Sequence, residues 1–153
     1  AWRHWEQPDT EFSLEAELGR IGRSLEEATA HMAGERMVVI GKSVGCFVAA
    51  ALLSQDPRVT ARTQRLILFG VPIGGADSVQ RQQLHHALAS LDLPVTVCQN
   101  TEDPYGAAAD VRRFLEGVHV EFITREAANH RYAYPDDVLE IIEQSEDRTR
   151  PLE

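Results

Sequence analysis

Residues 36–45 read Arg36-Met-Val-Val-Ile-Gly-Lys-Ser-Val-Gly45, and this stretch decides the fold class of the chain. Its first part, residues 36–41, is a short and mostly apolar run without alternation, which is typical of a strand buried on both faces of a parallel sheet. A helix is predicted from Val44 to about Ser54. The turn between the strand and the helix carries a G-x-S-x-G sequence with Ser43 at its centre.

The same alternation of strand and helix continues through the rest of the chain. Further strands are predicted at residues 65–70, 94–98 and 119–124, with a candidate edge strand at residues 2–6. Further helices are predicted at residues 13–32, at 78–91, from about 107, and from 135 to 143. Five strands alternating with five helices predict one α/β domain over residues 1–150, with a parallel sheet and right-handed crossovers. Residues 151–153 are expected to be a disordered tail or a remnant of cloning.

The composition restricts the classes of function. The chain has 153 residues, of which 43% are hydrophobic, enough to bury a core without disulfides or a metal ion. Its 15 basic and 24 acidic residues give a net charge of -9, which disfavours binding to nucleic acid or to an anionic membrane. The longest apolar stretch, residues 46–53, is too short to span a bilayer, and the start has no leader pattern. We therefore expect a cytoplasmic protein without membrane insertion.

The two cysteines indicate neither a disulfide framework nor a metal site. Cys46 and Cys98 lie inside apolar runs, and neither has a second cysteine or a histidine at metal-ligand spacing. They are predicted to be reduced, packed thiols. No metal or organic cofactor is implied by the sequence.

The turn around Ser43 is the first candidate functional site, because ligands of parallel sheets bind beyond the carboxyl ends of the strands. A sharp strand-to-helix turn strains the backbone at Ser43 and exposes its hydroxyl, while Gly41 and Gly45 let neighbouring chain approach closely. The Val44 N–H at the start of the helix is the predicted oxyanion donor and would contribute about 3 kcal/mol. A phosphate-binding P-loop would need glycine where Arg36 stands, so that alternative fails. A tight turn that merely contains serine is the alternative left open.

A serine hydroxyl needs a base, usually an imidazole held by a carboxylate. Of the six histidines, His130 alone falls in a loop that follows the carboxyl end of a predicted strand, so it is the candidate base. The polar segment 99–106 follows another strand, and its Asp103-Pro104 pair favours an extended carboxylate at the rim of the sheet. Asp103 is therefore the candidate acid, with Glu102 and Asp77 as weaker substitutes and an ordinary turn aspartate as the alternative.

The order Ser43, Asp103, His130 is the order expected of α/β-hydrolases. Residues 38–45 resemble the nucleophile elbow of that superfamily, residues 99–106 the acid loop of dienelactone-hydrolase-like members, and residues 128–130 the histidine loop. The start, Trp5-Glu-Gln-Pro-Asp9, is similar to small serine hydrolases of the retinoblastoma-binding-protein type. The resemblance implies a parallel-sheet, three-layer α/β-hydrolase-type fold that is reduced at its amino end.

What the resemblance implies is a serine hydrolase for a carboxylic ester or thioester of small to medium size. Ser43 attacks the carbonyl, His130 relays the proton and Asp103 holds His130, while Ile73 and Tyr105 are expected at the mouth of the pocket. Family members usually carry a second oxyanion donor on a loop ahead of the elbow, and we expect this sequence to do without that loop. The donor then lies outside this sequence, comes from elsewhere in the chain, or has been lost together with activity.

Two further expectations follow from the reduced amino end. A sheet edge left bare would need covering, so a homodimer is predicted. The alternative function, from a different class, is a non-catalytic binding or scaffold protein that keeps a hydrolase fold.

Overall fold

The sheet of this protein has four parallel strands in the order β1-β2-β3-β4 within the part of the chain that the structure describes. The structure, a computed structural model, describes residues 36–132 together with residues 19–21, 23–24, 27 and 139–140. The strands are β1 (Met37–Lys42), β2 (Thr63–Phe69), β3 (Val95–Asn100) and β4 (Glu121–Arg125). The helices are α1 (Gly45–Gln55), α2 (Pro57–Arg62), α3 (Ser78–Ser90) and α4 (Ala108–Phe114), with a 3-10 turn at Ile73–Gly75.

The predicted α/β class and the alternation of strands with helices are confirmed, and the observed bounds lie within two residues of most predicted ones. The candidate edge strand at residues 2–6 lies outside the described residues, as do most of the predicted helices at 13–32 and 135–143. The chain divides into compact units at residues 1–33 and 34–153. The described residues of the first unit are helical, and the single domain over residues 1–150 stays a prediction.

Helix α2 was not predicted, although its sequence contains a strong start signal. The Asp56 carboxylate accepts hydrogen bonds from the N–H groups of Arg58 and Val59, at 3.0 and 3.4 Å. Pro57 occupies the first turn, where a missing N–H costs nothing. Aspartate followed by proline therefore begins a short helix here, between α1 and β2.

Helix α1 is buried along almost its whole length, because it lies between the sheet and helix α3. Residues 46–53 are all buried, so the apolar run that is too short for a membrane span is the core helix of the fold. Helix α3 is amphipathic and begins with a capping box, in which Asp77 and Gln80 exchange hydrogen bonds. Among the described residues, no helix is both long and apolar enough to cross a membrane.

Each strand ladder continues by one hydrogen bond into the loop that follows. The N–H groups of Ser43, Gly70 and Thr101 donate to the carbonyls of Phe69, Cys98 and Arg125, at 2.9, 3.0 and 2.8 Å. Each acceptor is a residue of the neighbouring strand: Phe69 and Arg125 are the last residues of β2 and β4, and Cys98 lies within β3. The carboxyl edge of the sheet therefore fixes the first residue of three loops, and these loops form one surface.

Candidate active site

Ser43 has a backbone conformation that residues other than glycine rarely adopt. Its φ is +54°, and it is the sole non-glycine residue with a positive φ in the described part of the chain. Such a conformation costs on the order of 1–3 kcal/mol and persists only where the surroundings impose it. Two backbone hydrogen bonds hold this conformation: the Ser43 N–H donates to the Phe69 carbonyl, and the Ser43 carbonyl accepts from the Cys46 N–H at 2.9 Å. The turn is held from both sides.

The two glycines of the G-x-S-x-G sequence have different surroundings. A Cβ at Gly41 would lie 2.7 Å from the Gly45 carbonyl oxygen and 3.0 Å from the Cys46 Cα. A Cβ at Gly45 would meet nothing within 4 Å. The expectation that both glycines make room for a close approach is therefore right for Gly41 and wrong for Gly45, whose own backbone is the part that approaches.

Ser43, His130 and Asp103 form a continuous chain of hydrogen bonds. His130 Nε2 lies 2.8 Å from Ser43 Oγ, and His130 Nδ1 lies 2.7 Å from Asp103 Oδ2. A carboxylate accepts hydrogen bonds, so the proton of the neutral imidazole belongs on Nδ1 and Nε2 is free to accept the serine proton. The side chain of His130 is 18% exposed and that of Asp103 is fully buried. The imidazole and the carboxylate are thus shielded from bulk water to different degrees.

Both oxygens of the Asp103 carboxylate are held by donors. Oδ1 accepts from the Tyr105 N–H at 2.9 Å. Oδ2 accepts from the Tyr132 hydroxyl at 2.5 Å, in addition to His130, and the Gln99 amide nitrogen lies 3.4 Å away. Because a buried carboxyl group without partners is very costly, these donors offset the burial of Asp103.

Gln99 connects the loop that carries Asp103 to a neighbouring loop. Its amide nitrogen donates to the Gly106 carbonyl at 2.6 Å, and its amide oxygen accepts from the Val71 N–H at 2.9 Å. The side chain is fully buried at the end of β3. The loop that carries Asp103 is therefore attached to the loop that follows β2.

Gly70 leaves room for the imidazole and the phenol. Its φ is +63°, and a Cβ there would lie 2.3 Å from Tyr132 Cε2 and 2.9 Å from His130 Cε1. The side chain of Asn100 completes this arrangement by donating to the Asn129 carbonyl, just before His130, at 2.7 Å. The absence of a side chain at Gly70 and the side-chain amide of Asn100 thus accommodate and hold the histidine loop.

Comparison with known proteins agrees with this architecture. The profile of the family described as "Alpha/beta hydrolase domain" matches residues 5–144. The chain belongs to the alpha/beta hydrolase family. No curated protein matches the sequence of this alpha/beta hydrolase.

Several solved structures share the fold of this alpha/beta hydrolase at low sequence identity. An alpha-beta serine hydrolase homologue from Coxiella burnetii has 15% identity and a TM-score of 0.67, covering 92% of this chain and 62% of its own. An esterase of Pyrococcus furiosus has 15% identity and a TM-score of 0.67, with coverages of 91% and 65%. A monoacylglycerol lipase of Paleococcus ferrophilus has 13% identity and a TM-score of 0.65, with coverages of 90% and 77%. The chain thus spans less than two thirds of the first two structures, and the narrower resemblances to dienelactone-hydrolase-like and retinoblastoma-binding-protein-type members stay predictions.

The other predicted site residues of this alpha/beta hydrolase lie near the same three side chains. Val44 immediately precedes α1, where the first N–H groups of a helix have no acceptor within the helix, and the residue is 43% exposed. The Tyr105 ring packs edge-on against the His130 ring, with centroids 4.9 Å apart, and the residue is 52% exposed. Ile73 is buried, and the adjacent Gly74 N–H donates to the Tyr105 carbonyl at 2.7 Å. Tyr105 therefore faces solvent beside the imidazole, with Ile73 packed behind its loop.

The two alternatives for the acid have other surroundings than Asp103 in this alpha/beta hydrolase. Asp77 caps helix α3, and Glu102 is exposed, while Asp103 is the carboxylate that contacts His130.

Both cysteines are buried. Cys46 Sγ lies 3.4 Å from the Phe69 carbonyl, and burial raises the pKa of its thiol far above the ordinary range. This is the environment of a packed thiol, as predicted.

Two residues of the site were missed by sequence reasoning. Gln99 ends an apolar strand and Tyr132 follows His130 by two positions, but neither pattern reveals a contact with Asp103. A polar residue at the end of a buried strand was the available signal for Gln99. For Tyr132 the sequence offers no signal beyond its closeness to the candidate base.

Proposed function

We propose that this alpha/beta hydrolase is a serine hydrolase that cleaves a carboxylic ester or thioester of small to medium size. The observation that carries the proposal is the hydrogen-bonded chain from Ser43 Oγ through both nitrogens of His130 to the buried Asp103. The strained backbone at Ser43 supports the same assignment, because such strain accumulates at reactive positions.

The proposed reaction proceeds through an acyl-enzyme. Ser43 Oγ attacks the carbonyl carbon while its proton passes to His130 Nε2, and Asp103 stabilises the imidazolium that forms. His130 then returns the proton to the departing alcohol or thiol, leaving the acyl group on Ser43. In the second half, water gives its proton to His130 and attacks the ester, and the carboxylic acid leaves as Ser43 recovers its proton.

The developing oxyanion is assigned to the Val44 N–H. This group stands at the start of α1, where the helix dipole and free amide groups favour negative charge. One donor of this kind contributes about 3 kcal/mol to lowering the barrier. The helix is long enough to carry a dipole and is rigidly buried against the sheet.

The proposed substrate class rests on the surface beside Ser43. The exposed side chains of Val44 and Tyr105 offer apolar contact next to the reacting serine and imidazole, with Ile73 behind Tyr105. Structures of the same fold include proteins described as an esterase, a monoacylglycerol lipase and a thioesterase domain. Their described activities are consistent with an ester or thioester, and we assign that class to this chain.

The test is the hydrolysis of p-nitrophenyl acetate and butyrate, together with labelling by a fluorophosphonate probe. Ser43→Ala and His130→Ala should both reduce turnover to background, and Ser43→Ala should abolish labelling. Ser90→Ala and His86→Ala are the matched controls, because Ser90 bonds only locally to Ala87 and His86 lies exposed on α3. Folded wild-type protein that neither labels nor turns over would refute the proposal and favour the binding-protein alternative.

A further inference from the structure

Tyr132 contacts the candidate acid more closely than any predicted site residue does. Its hydroxyl donates to Asp103 Oδ2 at 2.5 Å and accepts the Asn100 N–H at 3.0 Å. His130 Nδ1 binds the same carboxylate oxygen at 2.7 Å. The phenol and imidazole rings also meet edge to face, with centroids 5.7 Å apart. One oxygen atom therefore serves both the base and the tyrosine.

The surroundings of Tyr132 keep its hydroxyl protonated. Burial raises the pKa of this phenol far above its ordinary value, the Asp103 carboxylate raises it further, and the Asn100 N–H partly opposes both effects. The ring packs against Ile67, Phe69 and Cys98, so it has little freedom to leave. Tyr132 is thus held in place as a neutral donor to the Asp103 carboxylate.

We propose that Tyr132 is a positioning residue of the hydrolytic site, which anchors the Asp103 carboxylate and limits how strongly that carboxylate stabilises protonated His130. The inference rests on the proposed function for its catalytic meaning. Its physical basis is that a donated hydrogen bond disperses the negative charge of Oδ2, and a carboxylate with dispersed charge favours the neighbouring imidazolium less. Loss of the phenol hydroxyl should make His130 easier to protonate.

Other titratable groups face this pair from the elements packed around it. Tyr105 contacts the His130 ring from the loop after β3. Cys98 on β3 packs against Tyr132, and Cys46 on α1 is a buried thiol whose Sγ lies 3.4 Å from the carbonyl oxygen of Phe69, a ring neighbour of Tyr132. Asp103 is the group among these that hydrogen-bonds to both rings. The change in Tyr132→Phe is therefore expected to reach His130 through the carboxylate.

The experiment compares wild type with Tyr132→Phe in two measurements. The first is the acid limb of the pH profile of kcat/KM for p-nitrophenyl butyrate, and the second is an NMR titration of the His130 imidazole. We expect both midpoints to move up by about one pH unit in Tyr132→Phe, the scale on which a nearby hydrogen-bonded charge acts. A purely structural role would lower the rate at every pH without moving either midpoint, and that result would overturn the proposal.

The matched control removes a different buried hydroxyl. Thr63 Oγ1 donates to the Val59 carbonyl at 2.8 Å and is 2% exposed at the start of β2, away from the site. Thr63→Val should therefore leave the His130 titration unchanged. A shift of equal size in Thr63→Val would attribute the effect to general loosening and would count against the proposal.

A second variant decides the matter if Tyr132→Phe does not fold. This variant carries 3-fluorotyrosine at position 132, whose more acidic hydroxyl donates a stronger hydrogen bond to Asp103. The midpoint of the His130 titration should therefore move to lower pH. An unchanged midpoint would overturn the proposal. The NMR titration needs no turnover. A shifted midpoint therefore supports the coupling even where Ser43→Ala shows no effect on hydrolysis, and failure of the proposed function is seen separately.

Discussion

Replacing Gly41 and Gly45 separately with alanine should give opposite results, although the two glycines are equivalent in the G-x-S-x-G pattern. At Gly41 the new Cβ would lie 2.7 Å from a backbone oxygen and 3.0 Å from a backbone carbon, both at the start of α1. Backbone cannot rotate out of the way as a side chain does, so the helix start must move. At Gly45 the same methyl group would enter open space.

The magnitudes follow from these surroundings. Forcing a methyl group into a packed position costs about 1–3 kcal/mol, so Gly41→Ala should lower the free energy of unfolding by that amount. Gly45 is helical and its φ is not positive, so alanine fits its backbone. Gly45→Ala should raise the free energy of unfolding by about 0.4–1 kcal/mol, because the unfolded chain loses freedom.

Urea unfolding at 25 °C measures both stabilities, and fluorophosphonate labelling reports on Ser43 in the same samples. Labelling should slow in Gly41→Ala, since a displaced helix start moves the Ser43 turn, and should persist in Gly45→Ala. The reasoning is refuted if Gly41→Ala unfolds with wild-type stability, or if Gly45→Ala is the more damaging of the two.

Three other predictions concern single side chains. Asp103→Asn should reduce kcat by about 10,000-fold, because an amide donor beside His130 Nδ1 reverses the tautomer; retention of a tenth of wild-type activity would contradict this. Asp56→Ala should destabilise the protein by about 1 kcal/mol near pH 7 through loss of the α2 cap. Hydrogen bonds from Arg58 lower the pKa of Asp56. The stabilisation by the Asp56 cap is therefore present above the ordinary carboxyl pKa and declines as pH falls through the lowered value. The difference in urea midpoint between wild type and Asp56→Ala should accordingly shrink at acid pH. Cys46 should resist a thiol reagent until the protein unfolds, since burial raises its pKa; rapid modification of native protein would show the helix to be open.

The fold, and the close approach of three polar side chains, could be predicted from the sequence for one physical reason. Parallel strands place their carboxyl ends at one edge, so polar residues that follow different strands can be expected to meet. Ser43, Asp103 and His130 each follow a strand in this way, and they lie within hydrogen-bonding distance.

Other features could not be obtained from patterns along the chain. Helix α2 is only six residues long, too short for a periodic signal, although Asp56-Pro57 marks its start. Tyr132 and Gln99 act through contacts with residues whose relative orientation depends on the packed loops. The difference between Gly41 and Gly45 is likewise a matter of packing, because the sequence shows two identical residues.

The single hydrogen bonds that extend each strand ladder into the following loop also determine how the site can open. The N–H groups of Ser43, Gly70 and Thr101 each donate a hydrogen bond to a carbonyl group of the neighbouring strand. A fluctuation that frees one of them must separate the end of a strand from its neighbour. The Gly70 bond joins β2 and β3, the two central strands of the described sheet, and central strands are among the most costly parts of a domain to open. The Gly70 amide should therefore exchange with solvent deuterium as slowly as the interior of the sheet, and more slowly than the amides of Ser43 and Thr101, each of which bonds across an outer pair of the described strands.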